Sequence, residues 1–186
     1  MTENERLIET VTGKESIYPG KIIHVQKWTV TLPDGTEAMR EIVQHNGASA
    51  IVAVDDENRV VLVRQHRVAV DRVTWEIPAG KFDHPGEDPL ACARRELEEE
   101  TGMSADNWTE LVAMDSTPGF CTECIHIFLA TGLHEGNSHP DDDEFVDVAM
   151  MPLTDAVAKV MRGEFRDSKT ALALLMADKK LSASSI

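Results

Sequence analysis

Apolar and polar residues alternate in two stretches that follow a polar lead at the start of the chain. Residues 21–30 and 37–45 are rich in β-branched side chains, and the turn signal Leu32-Pro33-Asp34-Gly35 separates them. This pattern predicts a β-hairpin. The next two stretches, residues 48–54 and 59–64, are more uniformly apolar, which predicts strands in the core of a sheet.

A short apolar stretch, residues 75–77, precedes a loop that contains glycine and proline. Residues 89–101 then have the pattern of a helix, and Gly102 is a helix stop signal. The later pattern predicts strands at 108–114, 125–130 and 145–150, a helix capped by Thr154 that runs to 161, and a helix over 169–180. This mixture of strands and helices predicts an α/β or α+β layered domain.

Composition and charge narrow the class of protein. The 186 residues are 42% hydrophobic, enough for one compact domain with a small N-terminal extension. The formal net charge of −15 would repel a nucleic-acid backbone, so we expect no nucleic-acid partner, and an anionic substrate would need local cations. The polar N-terminus and the lack of an uncharged stretch of about 20 residues predict a cytoplasmic protein that does not associate with membranes.

The three cysteines, Cys92, Cys121 and Cys124, are few and odd in number, which argues against a disulfide framework and fits a reducing compartment. Cys121 and Cys124 have the C-x-x-C spacing of redox pairs and of half a zinc site. The sequence contains no second motif that would complete either site. We therefore interpret them as ordinary thiols, with a redox or zinc role as the alternative.

Acidic residues crowd the end of the predicted helix over residues 89–101. Glu96 and Glu100 are four residues apart, and Glu99 follows Glu96 by three, so three carboxylates share one face. Like charges at these spacings destabilise a helix unless a counter-charge is supplied, and Mg²⁺ prefers oxygen ligands. The alternative is a solvated acidic surface screened by Arg94 and Arg95, and the acidic run alone favours that alternative.

The residues around this helix reverse that preference. They closely resemble the Nudix box, G-x5-E-x7-R-E-U-x-E-E-x-G-U, in which U is aliphatic. The matching residues are Gly80, Glu87, Arg95, Glu96, Leu97, Glu99, Glu100, Gly102 and Met103. The chain departs from the pattern once, because six residues rather than five separate Gly80 from Glu87. We expect a local bulge near His84-Pro85 that leaves the helix and the activity intact.

The resemblance implies a Nudix-type α/β/α sandwich with a mixed sheet, preceded by N-terminal antiparallel β-strands. It also implies that Mg²⁺, or Mn²⁺ as a substitute, is held by Glu96, Glu99, Glu100 and the carbonyl of Ala79. Such ions neutralise diphosphate oxygens, position a water for in-line attack on phosphorus and lower the pKa of that water, so turnover is expected to depend on Glu100. Glu87 would orient Arg95 and the loop.

Motifs outside the box are similar to the ADP-ribose pyrophosphatase branch of the family. They lie at residues 64–67, 75–81, 116–120, 143–145 and 163–170, with Pro118 fifteen residues after Met103. The branch implies hydrolysis of a nucleoside diphosphate sugar, ADP-ribose first, to a nucleoside monophosphate and a sugar phosphate. The alternatives are another nucleotide, such as a dinucleotide or a nucleoside triphosphate, and a non-catalytic nucleotide-binding regulatory module.

In that branch the N-terminal strands are exchanged between two subunits. The resemblance therefore implies a homodimer in which residues 1–46 form a dimerising β extension and residues 47–186 form the hydrolase domain. Trp28 would stack on a base, although a core or interface aromatic is an equal alternative.

Further residues match substrate and catalytic positions of the branch. Arg40 and Arg67 match basic positions that approach the substrate. Glu76 and Glu123 match acidic positions near the substrate, where a carboxylate can accept hydrogen bonds from ribose hydroxyls. Surface ion pairs and solvated loop acids are the alternatives.

The loop before the last sheet strand is expected to carry the catalytic base. Glu144 matches the position of that base best, and Asp142, with a shorter side chain, is the second candidate. The alternative is an acidic loop without a catalytic part.

Overall fold

The computed structural model of the chain describes residues 4–136 and 145–184. The two candidates for the catalytic base, Asp142 and Glu144, lie outside these ranges. The chain divides into two compact units, which are described separately. The N-terminal unit comprises Met1–Asn46 and Asp115–Glu123, and the C-terminal unit comprises Gly47–Met114 and Cys124–Ile186.

The elements within the described ranges are as follows. The strands are β1 (Thr10–Pro19), β2 (His24–Thr31), β3 (Glu37–Gln44), β4 (Ala48–Ala53), β5 (Arg59–Arg67), β6 (Arg72–Glu76), β7 (Ala79–Lys81), β8 (Met103–Asp115), β9 (Cys124–Glu135) and β10 (Asp147–Pro152). The helices are α1 (Pro89–Thr101), α2 (Leu153–Met161) and α3 (Ser168–Ser184), with short 3-10 turns at Glu5–Leu7 and Val68–Val70.

The N-terminal unit is an antiparallel sheet in the order β1-β2-β3. The predicted hairpin is confirmed, because β2 pairs with β3 from His24 to Thr31 and the N–H of Gly35 donates to the carbonyl of Leu32 at 2.9 Å. Gly35 has a φ of +87°, which a residue with a side chain rarely adopts. Strand β1 lies in the polar lead, to which the sequence pattern assigns no strand.

The C-terminal unit is built on a sheet in the order β7-β4-β9-β8, in which β4 is antiparallel to β7 and parallel to β9. Successive side chains of β4 face opposite sides of this mixed sheet. Ile51 packs with Leu97 of α1 on one side, and Val52 packs with Leu174 of α3 on the other. The sheet therefore lies between two helices, which confirms the predicted α/β/α sandwich.

A second sheet of this unit has the order β10-β5-β6, so β4 and β5, although consecutive, belong to different sheets. The predicted cap at Thr154 is wrong. Helix α2 begins at Leu153, whose side chain is buried and whose N–H donates to the carbonyl of Asn58 at 3.0 Å, so a backbone contact replaces the side-chain cap. Phe145 precedes β10 and is exposed. None of the helices in the described ranges is long and apolar enough to cross a bilayer.

Candidate active site

Local sequence signals set both ends of helix α1. The side chain of Asp88 accepts a hydrogen bond from the N–H of Ala91 at 2.9 Å, and Pro89 occupies the first helical position. Gly102, with a φ of 71°, donates its N–H to the carbonyl of Glu98 and ends the helix in the left-handed conformation. The predicted bounds of this helix are confirmed.

Two carboxylates of α1 lie against the backbone of β7. Glu100 is buried, and its Oε2 accepts a hydrogen bond from the N–H of Ala79 at 3.2 Å. A Cβ atom on Gly80 would lie only 1.9 to 2.2 Å from the carboxyl atoms of Glu96. Glycine at position 80 is thus what allows the carboxylate of Glu96 to approach the strand this closely.

Arg95 supplies a counter-charge to the same face. Its Nη1 lies 2.6 Å from Glu96 and 3.0 Å from Glu99, and its Nη2 lies 3.6 Å from Glu87. Burial alone would lower the pKa of Arg95, but attraction to Glu96 outweighs burial and raises the pKa above its ordinary value. Arg95 is therefore cationic at neutral pH. Its buried Nε has no hydrogen-bond partner among the described residues.

The loop between β7 and α1 accommodates the extra residue without changing the helix. The carboxylate of Glu87 accepts a hydrogen bond from the N–H of Asp83 at 2.6 Å, and the N–H of Glu87 donates to the carbonyl of His84 at 3.2 Å. Gly86 has a φ of +82° in this turn. Glu87 consequently contacts both the loop and Arg95.

The donors on this face fit Mg²⁺ in chemical kind. Carboxylate and backbone carbonyl oxygens are the ligands this ion prefers, and Glu100 is held beside the Ala79 backbone and Glu96 beside the Gly80 backbone. Within residues 4–136 and 145–184, no three histidine, cysteine, aspartate or glutamate side chains are already grouped as metal ligands. The ion pairs with Arg95 offset the electrostatic repulsion between the clustered carboxylates.

A second charged cluster surrounds Glu76 at the end of β6. Arg67 donates to both of its oxygens at 2.8 Å, Lys169 Nζ donates to Oε2 at 2.6 Å, and the Thr74 hydroxyl donates to Oε1 at 2.6 Å. Burial would raise the pKa of Glu76, but the bonds from Arg67 and Lys169 outweigh it and lower the pKa to about 2. Glu76 is therefore ionised at neutral pH, and its oxygens are engaged by protein donors.

Sequence reasoning did not single out Lys169, Asp167 or Thr170. Lys169 Nζ also lies 3.0 Å from Asp167, and Asp167 accepts hydrogen bonds from the backbone N–H and the hydroxyl of Thr170. These residues belong to one of the segments that resemble the family, at 163–170. Lys169 pairs with Glu76, which is 93 residues earlier in the chain, and sequence spacing gives no sign of that pairing.

The remaining predicted substrate residues belong to the N-terminal unit. Trp28 and Arg40 are opposite each other on β2 and β3. The indole N–H of Trp28 donates to Gln26 at 2.7 Å, and Arg40 forms an ion pair with Glu9.

Glu123 lies in the same unit, with Oε1 3.7 Å from His45 Nδ1. Within the C-terminal unit, the structure brings Glu100 to Ala79, Glu96 to Gly80, and Arg67 to Glu76. Cys92, Cys121 and Cys124 form no disulfide bond.

Comparison with known proteins identifies the class that this helix and sandwich define. The model of the NUDIX domain matches residues 43–173, so the chain belongs to the NUDIX domain family. The resemblance of residues 80–103 to the Nudix box is thereby confirmed.

Relatives of known name cover almost the whole chain. ADP-ribose pyrophosphatase of Bacillus subtilis (strain 168) is 44% identical over 170 residues, which are 90% of this chain and 91% of the relative. The methanol dehydrogenase activator of Bacillus methanolicus is 41% identical over 172 residues, 91% of this chain and 92% of the relative. A crystal structure of an ADP compounds hydrolase has a TM-score of 0.81 at 21% identity and covers 95% of each chain, which supports the fold alone.

Proposed function

We propose that this protein hydrolyses the diphosphate bond of a nucleoside diphosphate sugar, with ADP-ribose favoured, to a nucleoside monophosphate and a sugar phosphate. The contact between α1 and β7 carries the proposal, because it places the carboxylates of Glu96 and Glu100 at the backbone of Ala79 and Gly80. The substrate class is supported by the relative named ADP-ribose pyrophosphatase, which aligns over 90% of this chain.

The acidic face is proposed to hold Mg²⁺, or Mn²⁺ in its place, through Glu96, Glu99, Glu100 and the Ala79 carbonyl. When bound, such an ion supplies positive charge to diphosphate oxygens and lowers the pKa of a bound water. Glu87 holds the loop at Asp83 and contacts Arg95, and Arg95 keeps Glu96 and Glu99 paired. These contacts fix the orientation of the donor side chains before substrate arrives.

Other residues are proposed to bind the substrate or to move its protons. Arg67 suits the diphosphate, because its side chain is 44% exposed and its pKa is raised, chiefly by its hydrogen bonds to Glu76. As implied by the family, Trp28 is proposed to stack on the base, Arg40 to approach the substrate, and Glu123 to accept hydrogen bonds from ribose hydroxyls. For the base, Glu144→Gln and Asp142→Asn are to be compared, and the variant with the larger loss of kcat identifies it.

The test of this function is the release of AMP and ribose 5-phosphate from ADP-ribose by purified protein with Mg²⁺. Glu100→Gln removes the charge without removing volume, so we expect kcat to fall roughly a hundredfold or more while the circular dichroism spectrum is unchanged. Glu98→Gln is the matched control, because Glu98 is an exposed carboxylate of the same helix. Near-normal turnover by Glu100→Gln would refute the assignment of the metal-binding face.

The N-terminal unit is proposed to join two copies of the chain into a homodimer, with exchanged strands as implied by the family. Its support is a set of large apolar side chains that are exposed in this unit: Leu7, Ile8, Val11, Ile17, Tyr18, Ile22, Ile23 and Met39. A cytoplasmic location is also proposed, supported by three cysteines that form no disulfide bond, a state that a reducing compartment would maintain.

A second candidate function is the regulation of another protein through a bound nucleotide. One observation favours it, the 41% identity to a relative named methanol dehydrogenase activator. This candidate predicts that ADP-ribose binds with Mg²⁺ present and is recovered intact. Release of monophosphate that stops in Glu100→Gln would favour hydrolysis instead.

A further inference from the structure

A buried network connects the first turn of α3 to the segment that leads into the candidate metal-binding face. Lys169 Nζ donates to Glu76 at 2.6 Å, and the N–H of Ile77 donates to the hydroxyl of Thr170 at 2.9 Å. Two residues later, the N–H of Ala79 donates to Glu100 at 3.2 Å. Helix α3 therefore fixes residues 76 and 77, and Glu100 of α1 contacts residue 79.

The segment from Glu76 to Gly80 has little room to move. The Glu96 carboxylate lies so close to Gly80 that even a Cβ atom there would overlap it. The N–H of Ile51 on β4 also donates to the carbonyl of Pro78 at 2.8 Å. Residues 77–79 are consequently anchored by bonds that do not involve the Lys169 side chain, so its loss should leave the backbone beside Glu96 and Glu100 in place.

Lys169 and Arg67 bind the same carboxylate but differ in accessibility. The Lys169 side chain is 12% exposed and lies between Glu76 and Asp167, whereas that of Arg67 is 44% exposed. Arg67 can therefore reach a ligand from solution, whereas Lys169 is occupied by two carboxylates. Lys169 is therefore expected to act on an anionic ligand through the charges it balances, and not by direct contact.

Charge balance indicates what that influence is. Arg67 and Lys169 together balance Glu76 and Asp167, so the cluster is neutral while Lys169 is present. Without Lys169, Arg67 alone would face both carboxylates, and the cluster would become anionic in a chain whose formal net charge is already −15. A diphosphate approaching Arg67 would then be repelled.

We propose that Lys169 is a positioning residue of the diphosphate site: by neutralising and holding Glu76, it keeps the guanidinium of Arg67 oriented and its charge available to the substrate. This inference rests on the proposed function for its substrate, but it assigns a role to a lysine that does not touch that substrate. It predicts that loss of Lys169 weakens substrate binding more than it slows the chemical step.

The test uses Lys169→Met, which keeps most of the side-chain volume, and Lys169→Arg, which keeps the charge. With ADP-ribose and saturating Mg²⁺, we expect Lys169→Met to raise KM about tenfold and to change kcat by less than about threefold. Lys169→Arg should restore KM to within about threefold of the wild-type value. A merely structural lysine would instead lower kcat and the melting temperature and leave KM unchanged, and that result would overturn the proposal.

Lys169→Met leaves a buried carboxylate with one cation fewer and could unfold the protein. The double variant Glu76→Gln with Lys169→Met removes both charges and keeps the shape of the pair. We expect the double variant to fold. If Lys169→Met also folds, the double variant should have a lower KM than Lys169→Met. If Lys169→Met does not fold, the double variant should have a KM within about tenfold of the wild-type value. A higher KM than these would contradict the charge-balance role.

Measurements on wild-type protein distinguish a failure of this proposal from a failure of the proposed function. If wild-type protein cleaves ADP-ribose and the variants do not show the KM pattern, only the role of Lys169 fails. If wild-type protein cleaves nothing, equilibrium binding of ADP-ribose replaces KM as the measurement for the same variants. If wild-type protein neither cleaves nor binds ADP-ribose, both proposals fail.

Discussion

Single residues set the spacing between α1 and the strand before it. Gly80 is the position where the absence of one carbon atom matters most, because the Glu96 carboxylate occupies the space a Cβ would need. The carboxylate cannot retreat freely, since it is also paired with Arg95 at 2.6 Å. A side chain at residue 80 would collide with Glu96, which Arg95 holds in place, and this steric conflict explains the glycine of the Nudix box. The φ angle of Gly80 is not the reason for it.

We therefore predict that Gly80→Ala disrupts the acidic face. The added methyl group must displace Glu96 or β7, and overpacking of this kind typically costs about 1–3 kcal/mol of stability. We expect a lower melting temperature and at least a roughly tenfold loss of hydrolytic activity. Gly119→Ala is the control, because a Cβ there meets no atom within 4 Å. Equal activity of the two variants would show that Glu96 need not lie against the strand.

At the scale of elements, helix α1 could be predicted to the residue, whereas strand β1 could not. Asp88, Pro89 and Gly102 are strong start and stop signals, and they act through local hydrogen bonds and backbone conformation. Strand β1 has no alternating pattern, and almost all of its side chains are exposed. It is a strand because β2 pairs with it, and a tertiary partner of that kind cannot be read from a local window.

The same limit applies to the candidate site. The box residues lie within a single loop and helix, so their spacing along the sequence indicates which side chains meet. The link between β6 and α3 joins Glu76 to Lys169 across 93 residues, and only the fold brings these residues together. Glu76 was expected to accept hydrogen bonds from ribose hydroxyls. The donors observed in the structure are Arg67, Thr74 and Lys169.

Because of the ion pairs between β6 and α3, the stability of the protein should depend on pH in the acidic range. The pKa of Glu76 falls from 4.5 to about 2 on folding, so its ion pairs stabilise the native state above about pH 4.5 and are lost as the pH falls towards 2. At about 1.4 kcal/mol per pKa unit, this contribution is on the order of 3 kcal/mol. It should be absent from a variant that cannot ionise at residue 76.

Urea unfolding of wild-type protein and Glu76→Gln between pH 7 and pH 3 measures this contribution. We expect the difference in the free energy of unfolding to be largest above pH 5 and to shrink as the pH is lowered. Glu98→Gln should follow the wild-type curve, because Glu98 is exposed. A difference that stays constant with pH would mean that the pKa of Glu76 is not lowered by folding.

At the scale of the whole molecule, the N-terminal unit exposes several large apolar side chains. Strand β1 is the edge strand of its sheet, and Val11, Ile17 and Tyr18 on it are all exposed. An exposed apolar edge strand is a template for pairing with another chain. In the proposed homodimer, a second copy of this chain would cover these side chains.

We predict that wild-type protein sediments as a dimer and that Ile17→Glu shifts it towards the monomer. The Ile17 side chain is 55% exposed, so a glutamate is tolerated in an isolated chain but would be buried without a partner in a dimer interface. Analytical ultracentrifugation over a range of concentrations measures the shift. Met161→Glu is the control, because Met161 is 73% exposed and lies at the end of α2 in the other unit. If both variants stay dimeric, the interface lies away from Ile17.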